Sequence, residues 1–208
     1  MDDSVIFFFD LFGTMIFAAT GAVKAVKSRL DLLGVMFFAL TVGCGGGMLR
    51  DVLIGSFPVA VFIHPSYFIV SIITALVVFF LSGKTDGRWS VIVYFDAIGL
   101  GVFTGLGLVK AAGMGAGVIG MVMSGTFSAV GGGILRDVFL KEIPLVFTSD
   151  FYASASILGG LFGVILLEYL GVEVNAVITM TAALTTTLRI VAYELHFRLP
   201  VAKIRGEK

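Results

Sequence analysis

Seven stretches of this chain stay apolar for about twenty residues, the length that crosses a hydrocarbon core roughly 30 Å thick, and short polar breaks separate them. The pattern predicts an all-α membrane protein of seven transmembrane helices, over 4–24, 31–54, 63–82, 92–110, 115–140, 151–171 and 175–197. The breaks carry cap and turn residues: SRLD at 28–31, HPS at 64–66, SGKTDGR at 82–88, and Pro144 ahead of TSD at 148–150. None is long or polar enough for a soluble domain, so 1–208 reads as one membrane domain.

Composition agrees with that solvent. The 208 residues are 58% hydrophobic and 13% charged, with a mean hydropathy of +1.08, beyond what a water-facing surface carries. A net charge of zero leaves no basic surplus for nucleic acid, and the single Cys44 excludes an internal disulfide. The opening MDDSVIFFFD lacks a basic n-region and reads as a retained first span.

Charge sets the expected orientation. With seven spans, Lys24, Lys27, Arg29, Lys84, Arg88, Lys141, Arg198, Lys203, Arg205 and Lys208 share one side, whereas the other side holds only Lys110. The positive-inside rule places the N-terminus outside and the C-terminal tail, 198–208, in the cytoplasm of a multi-pass cell (inner) membrane protein.

Sliding the sequence 86 positions along itself reveals a repeat. Between 9–58 and 95–144 there are seventeen identities in fifty positions, including Asp10 with Asp96, Lys24 with Lys110, Gly45–Gly47 with Gly131–Gly133, Arg50 and Asp51 with Arg136 and Asp137, and Pro58 with Pro144. The halves, 4–82 and 92–171, hold three spans each. An odd number inverts the second copy, giving an inverted-topology repeat with a seventh helix, 175–197, appended.

Each half therefore carries GGGxxRD inside a span. Glycine costs about 1 kcal/mol in a helix interior, so three in a row predict that helices 2 and 5 break there, and broken backbone at membrane depth must be buried in protein or line a watery cavity. Gly101/Gly105, Gly113/Gly117 and Gly159/Gly163 read instead as small-residue packing pairs. Charge inside a span costs at least about 2.5 kcal/mol and must be paired or solvated. Matching depths suggest Asp10 with Arg50 and Asp96 with Arg136, leaving Asp51 and Asp137 more available to a passing cation, one station on each side of the midplane. The alternative is that all six charges are static bridges fixing helix register.

Glu168, Arg189 and Glu194, near span ends, are expected to snorkel to an interface, and His64 and His196 to lie there. The GAGVIG at 115–120 fits a dinucleotide fingerprint without the strand that must precede it. No cofactor site, metal cluster, P-loop or catalytic arrangement is readable, which argues against an enzyme.

Two GGGxxRD copies in inverted three-helix repeats, each with a proline seven residues after the Asp and a seventh helix appended, resemble the prokaryotic branch of the trimeric intracellular cation (TRIC) channel family. The resemblance covers nearly the whole chain. It implies a homotrimer with one pore per protomer, conducting monovalent cations, chiefly potassium, between kinked helices 2 and 5, with Gly45, Gly46, Gly47, Arg50, Asp51, Gly131, Gly132, Gly133, Arg136 and Asp137 on the path. Membrane lipid is a further expected partner, as a bound molecule too. Bacterial relatives have also been labelled glycine transporters. The residues alone leave a channel and an alternating-access carrier of a small amino acid both open, and the resemblance favours the channel.

Overall fold

The computed structural model describes residues 3–82, 90–148 and 151–197, all helical or in short connections. Lys84, Arg88 and the tail with Arg198, Lys203, Arg205 and Lys208, on which part of the orientation argument rests, lie outside the described residues. In chain order the helices are α1 (Asp3–Lys27), α2 (Leu32–Leu53), α3 (Ala60–Ile63), α4 (Ser66–Leu81), α5 (Ser90–Gly113), α6 (Val118–Phe139), α7 (Leu145–Thr148), α8 (Ala153–Val164) and α9 (Val174–Glu194). α1, α2, α5, α6 and α9 are long and apolar enough to span a bilayer. α4, and α8 with its continuation as a π turn (Ile165–Tyr169), are apolar but shorter. α3 and α7 are single turns.

The ends of the first helices follow one rule. α1, α2, α5 and α6 each close in a Schellman pattern, with a 6→1 backbone bond: Leu30 to Ala25, Ser56 to Asp51, Ala116 to Ala111 and Glu142 to Asp137. That motif demands a positive φ one residue earlier. Gly55 (71°) and Gly115 (78°) supply it in two cases, but their repeat mates are Lys141 (58°) and Arg29 (57°). A non-glycine residue there costs about 1 kcal/mol.

The core sits where the two halves meet, and it is built from repeat mates in reciprocal contact. Phe17 stacks on Phe103, centroids 5.2 Å apart. Each ring also fills the space beside a glycine of the other half, Phe17 at Gly99 and Phe103 at Gly13. α2 crosses α6 by the same exchange, since Gly46 faces the carbonyl of Ser128 and Gly132 faces that of Val42, too close for any Cβ. Gly45 meets Leu135, and Gly131 meets Leu49. Such i-to-j, j-to-i contacts mark a two-fold relation.

These contacts correct the expected helix break. Every residue of α2 and α6, triple glycines included, is α-helical. The propensity penalty is measured in water, whereas Gly45, Gly46, Gly131, Gly132 and Gly133 are buried in protein, where a freed carbonyl would find no solvent, so the hydrogen-bond ladder persists. The glycines' missing side chains permit a backbone-to-backbone crossing.

α9 lies between α5 and α8. Gly101 and Gly105 receive the backbone of Ala182 and Ile178, and Gly159 and Gly163 receive Thr185 and Thr181. Gly113 and Gly117 do not form the expected third pair: Gly113 ends α5, and Gly117 is the N-cap of α6 with nothing within 4 Å of a built Cβ.

From the crossing geometry, Gly46→Ala and Gly132→Ala should each cost about 1–3 kcal/mol of stability. Gly47→Ala, whose added methyl meets nothing nearer than 3.7 Å, should cost nothing. Melting followed by size exclusion in detergent reads the difference, and equal melting temperatures for the three variants would refute the close crossing.

Candidate functional site

The C-terminal turns of α2 and α6 each carry an Arg–Asp pair, and all four side chains are about 1% exposed. Arg50 donates from Nε to Asp51 Oδ1 at 2.9 Å and from Nη2 to Asp10 Oδ2 at 3.1 Å. Its copy repeats the geometry: Arg136 Nε to Asp137 Oδ1 at 2.9 Å and Nη1 to Asp96 Oδ1 at 2.6 Å. α1 and α5 thus present Asp10 and Asp96 to α2 and α6. The Tyr67 hydroxyl on α4 adds a 3.1 Å bond to Asp10 Oδ2.

Asp51 and Asp137 are the most heavily engaged carboxylates here, contrary to the expectation that they stay available. The Oδ2 of Asp51 accepts the backbone N–H of Ala60, and that of Asp137 accepts the N–H of Leu145, both at 3.0 Å. These donors open α3 and α7, the single turns that follow the repeated prolines Pro58 and Pro144. Each Oδ1 then takes a lysine from the opposite half: Lys110 Nζ lies 2.7 Å from Asp51, and Lys24 Nζ lies 3.4 Å from Asp137. Lys24 also pairs with Glu142.

The two lysines escaped the residue-level argument, which placed them in connections. The signal was nevertheless there, since Lys24 and Lys110 are identical across the repeat, as are the station residues Asp10/Asp96, Arg50/Arg136 and Asp51/Asp137. Their pairing shows how the halves lie. α2 and α5 finish at one end of the bundle and α1 and α6 at the other, so the stations sit at opposite ends of the α2–α6 crossing.

The six glycines divide by task. Gly47 lines a cavity of about 10 Å³ with Asp10, Thr14, Cys44, Arg50 and Tyr67, room for about one water. Gly133 lies against the Tyr152 hydroxyl and the Arg136 guanidinium. Gly45, Gly46, Gly131 and Gly132 are buried in the α2–α6 contact. Arg189, expected at an interface, is buried, its guanidinium 5.0 Å from the Tyr152 ring centroid. Glu194 is exposed and accepts the Tyr94 hydroxyl. At the α2–α5 end a larger apolar cavity of about 320 Å³ opens between Leu53, Met114, Met123 and Phe127.

Comparison with known proteins matches both the repeat and the packing. One family model, described as Glycine transporter, matches residues 7–83 and again 93–168. The UPF0126 inner membrane protein YadS of Escherichia coli (strain K12) is 32% identical over 198 residues, 94% of this chain and 95% of that protein. Among solved structures, a TRIC cation channel superposes with a TM-score of 0.86 at 34% identity, covering 96% of this chain and 98% of the other. The trimeric intracellular cation channel orthologue of Rhodobacter sphaeroides superposes at 0.88 with 29% identity, covering 93% and 100%. The chain therefore belongs to the glycine transporter family, the UPF0126 membrane proteins, and its fold is that of the TRIC channels.

Proposed function

We propose that this protein is a monovalent-cation channel, chiefly for potassium, assembled as a homotrimer in the inner membrane with one path through each protomer. The path runs along α2 and α6, the second and fifth of seven spans, in two oppositely inserted three-span halves. The observation that carries the proposal is the pair of buried stations at the two ends of the crossing, each neutralised within the protein and each closed by a lysine from the other half. Similarity to cation channels over nearly the full chain points the same way.

The chemistry follows from charge. With Lys110 on Asp51 and Lys24 on Asp137, both carboxylates are satisfied and the path is closed. Withdrawal of a lysine leaves a carboxylate facing the path, where a cation replaces the ammonium at similar electrostatic cost. Lys24 and Lys110 are suited to that motion, because their side chains are 19% and 27% exposed while the carboxylates they cap are 1% exposed. Arg50 and Arg136 stay fixed and hold the stations together.

A second reading has one observation in its favour. Two antiparallel halves, each locked at its own end, also suit alternating access by a carrier of a small amino acid, the activity that the family description names. Unitary current steps from purified protein in a planar bilayer decide for the channel. Glycine-driven uptake without such steps decides for the carrier.

Three outcomes are expected. Lys24→Gln and Lys110→Gln should each raise potassium flux into liposomes by about fivefold, the equivalent of roughly 1 kcal/mol from a partly exposed pair; Val77→Leu, on an exposed face of α4, should not. Arg136→Gln, which takes the guanidinium from buried Asp96 and leaves Asp137 with Lys24 as its remaining cation, should cost about 3–5 kcal/mol and deplete the native oligomer on size exclusion. In a Cys44→Ala background, a cysteine at Ser4 should react with an impermeant thiol reagent in intact cells and one at Gly206 should not; the reverse labelling overturns the orientation.

A further inference from the structure

The two stations share their Arg–Asp and Asp–Lys pairings but differ in what surrounds the lysine. Ser56 and Glu142 are repeat mates and hold the same backbone site, each donating its N–H to the carbonyl of the station aspartate, at 2.8 Å to Asp51 and 2.9 Å to Asp137. At the first station this site carries a hydroxyl, and Lys110 sits 2.7 Å from its aspartate. At the second it carries a carboxylate that holds Lys24, and the distance from Lys24 to Asp137 is 3.4 Å. One ammonium is divided between two acceptors at the second station and committed to one at the first.

We infer that Glu142 is a positioning residue that makes the α1–α6 end of the path the more readily opened of the two. The inference rests on the reading of the lysines as the closing groups. A lysine leaving Asp51 gives up its buried carboxylate, and among the described residues no second carboxylate pairs with it. A lysine leaving Asp137 has a partner already in place, half exposed and outward of the station, since the Glu142 side chain is 51% exposed and that of Asp137 is 1% exposed. Glu142 stabilises Lys24 in the withdrawn position without touching the path. Because the pair is solvated, the effect is modest. Its sign, however, is set by where the carboxylate stands.

The test uses the reciprocal exchange that the repeat offers. Glu142→Gln should lower potassium flux into liposomes by about two- to fivefold and Glu142→Asp should restore it, while Ser56→Glu should raise flux by a similar factor by giving Lys110 the same outlet. In a Lys24→Gln background, Glu142→Gln should change nothing further. A gain on Ser56→Glu cannot come from misfolding, and melting in detergent checks that the Glu142 variants fold. If Lys24→Gln raises flux but Glu142→Gln matches the unaltered protein, or Ser56→Glu fails to raise flux, the role assigned to Glu142 is overturned while the stations stand. If neither Lys24→Gln nor Lys110→Gln alters flux, the reading of the stations falls, and this inference with it.

Discussion

Two guanidinium groups that cannot be deprotonated lie out of reach of solvent in a protein built for hydrocarbon, and the arrangement around them follows from that. Arg50 and Arg136 are among the largest fully buried side chains described. Removing such a charge from water costs several kcal/mol even after relaxation, so each must be ringed by acceptors. The chain supplies two carboxylates per arginine, one from the adjacent residue and one from the preceding span. Two carboxylates against one guanidinium leave a surplus negative charge, and a lysine meets it. Position by position, α1, α2, α5 and α6 are held in register by this requirement.

The lysine comes from the other half in both cases, and this makes the duplication more than a route to length. Neither half is electrically complete alone: the first carries Asp10, Arg50 and Asp51 but receives Lys110, and the second carries Asp96, Arg136 and Asp137 but receives Lys24. The stacking of Phe17 on Phe103 and the exchange of glycine contacts do the same in apolar terms. The halves are joined by reciprocity at every level, which explains why the seventeen identities include the charged residues together with glycines and phenylalanines from the interface.

Much of this was legible from residues alone. The spans were readable because bilayer thickness sets helix length, and α2 and α6 lie within a few residues of the predicted 31–54 and 115–140. Arg50 and Asp10 could be matched by depth alone. The lysines could not be placed, because Lys24 and Asp137 are 113 residues apart and meet only through a crossing angle that no local pattern encodes. The glycine runs misled for a different reason. Helix propensities describe a chain with water as the competing partner, and at Gly46 and Gly132 the competitor is absent. Arg189 misled through position, since its place near a helix end suggested an interface while the ring of Tyr152 offered it a face inside.

The crossing of α2 and α6 has a mechanical consequence. Contact between side chains can be adjusted by rotamer changes, but contact between Gly46 and the Ser128 carbonyl, or between Gly132 and that of Val42, has no such slack. The two helices can tilt or slide about this point only as stiff rods. Each rod has its charged station on one side of the pivot and its entry turn on the other. A displacement at either station therefore meets a backbone contact that no rotamer change can absorb, and the crossing ties the geometry of the two ends of the molecule together.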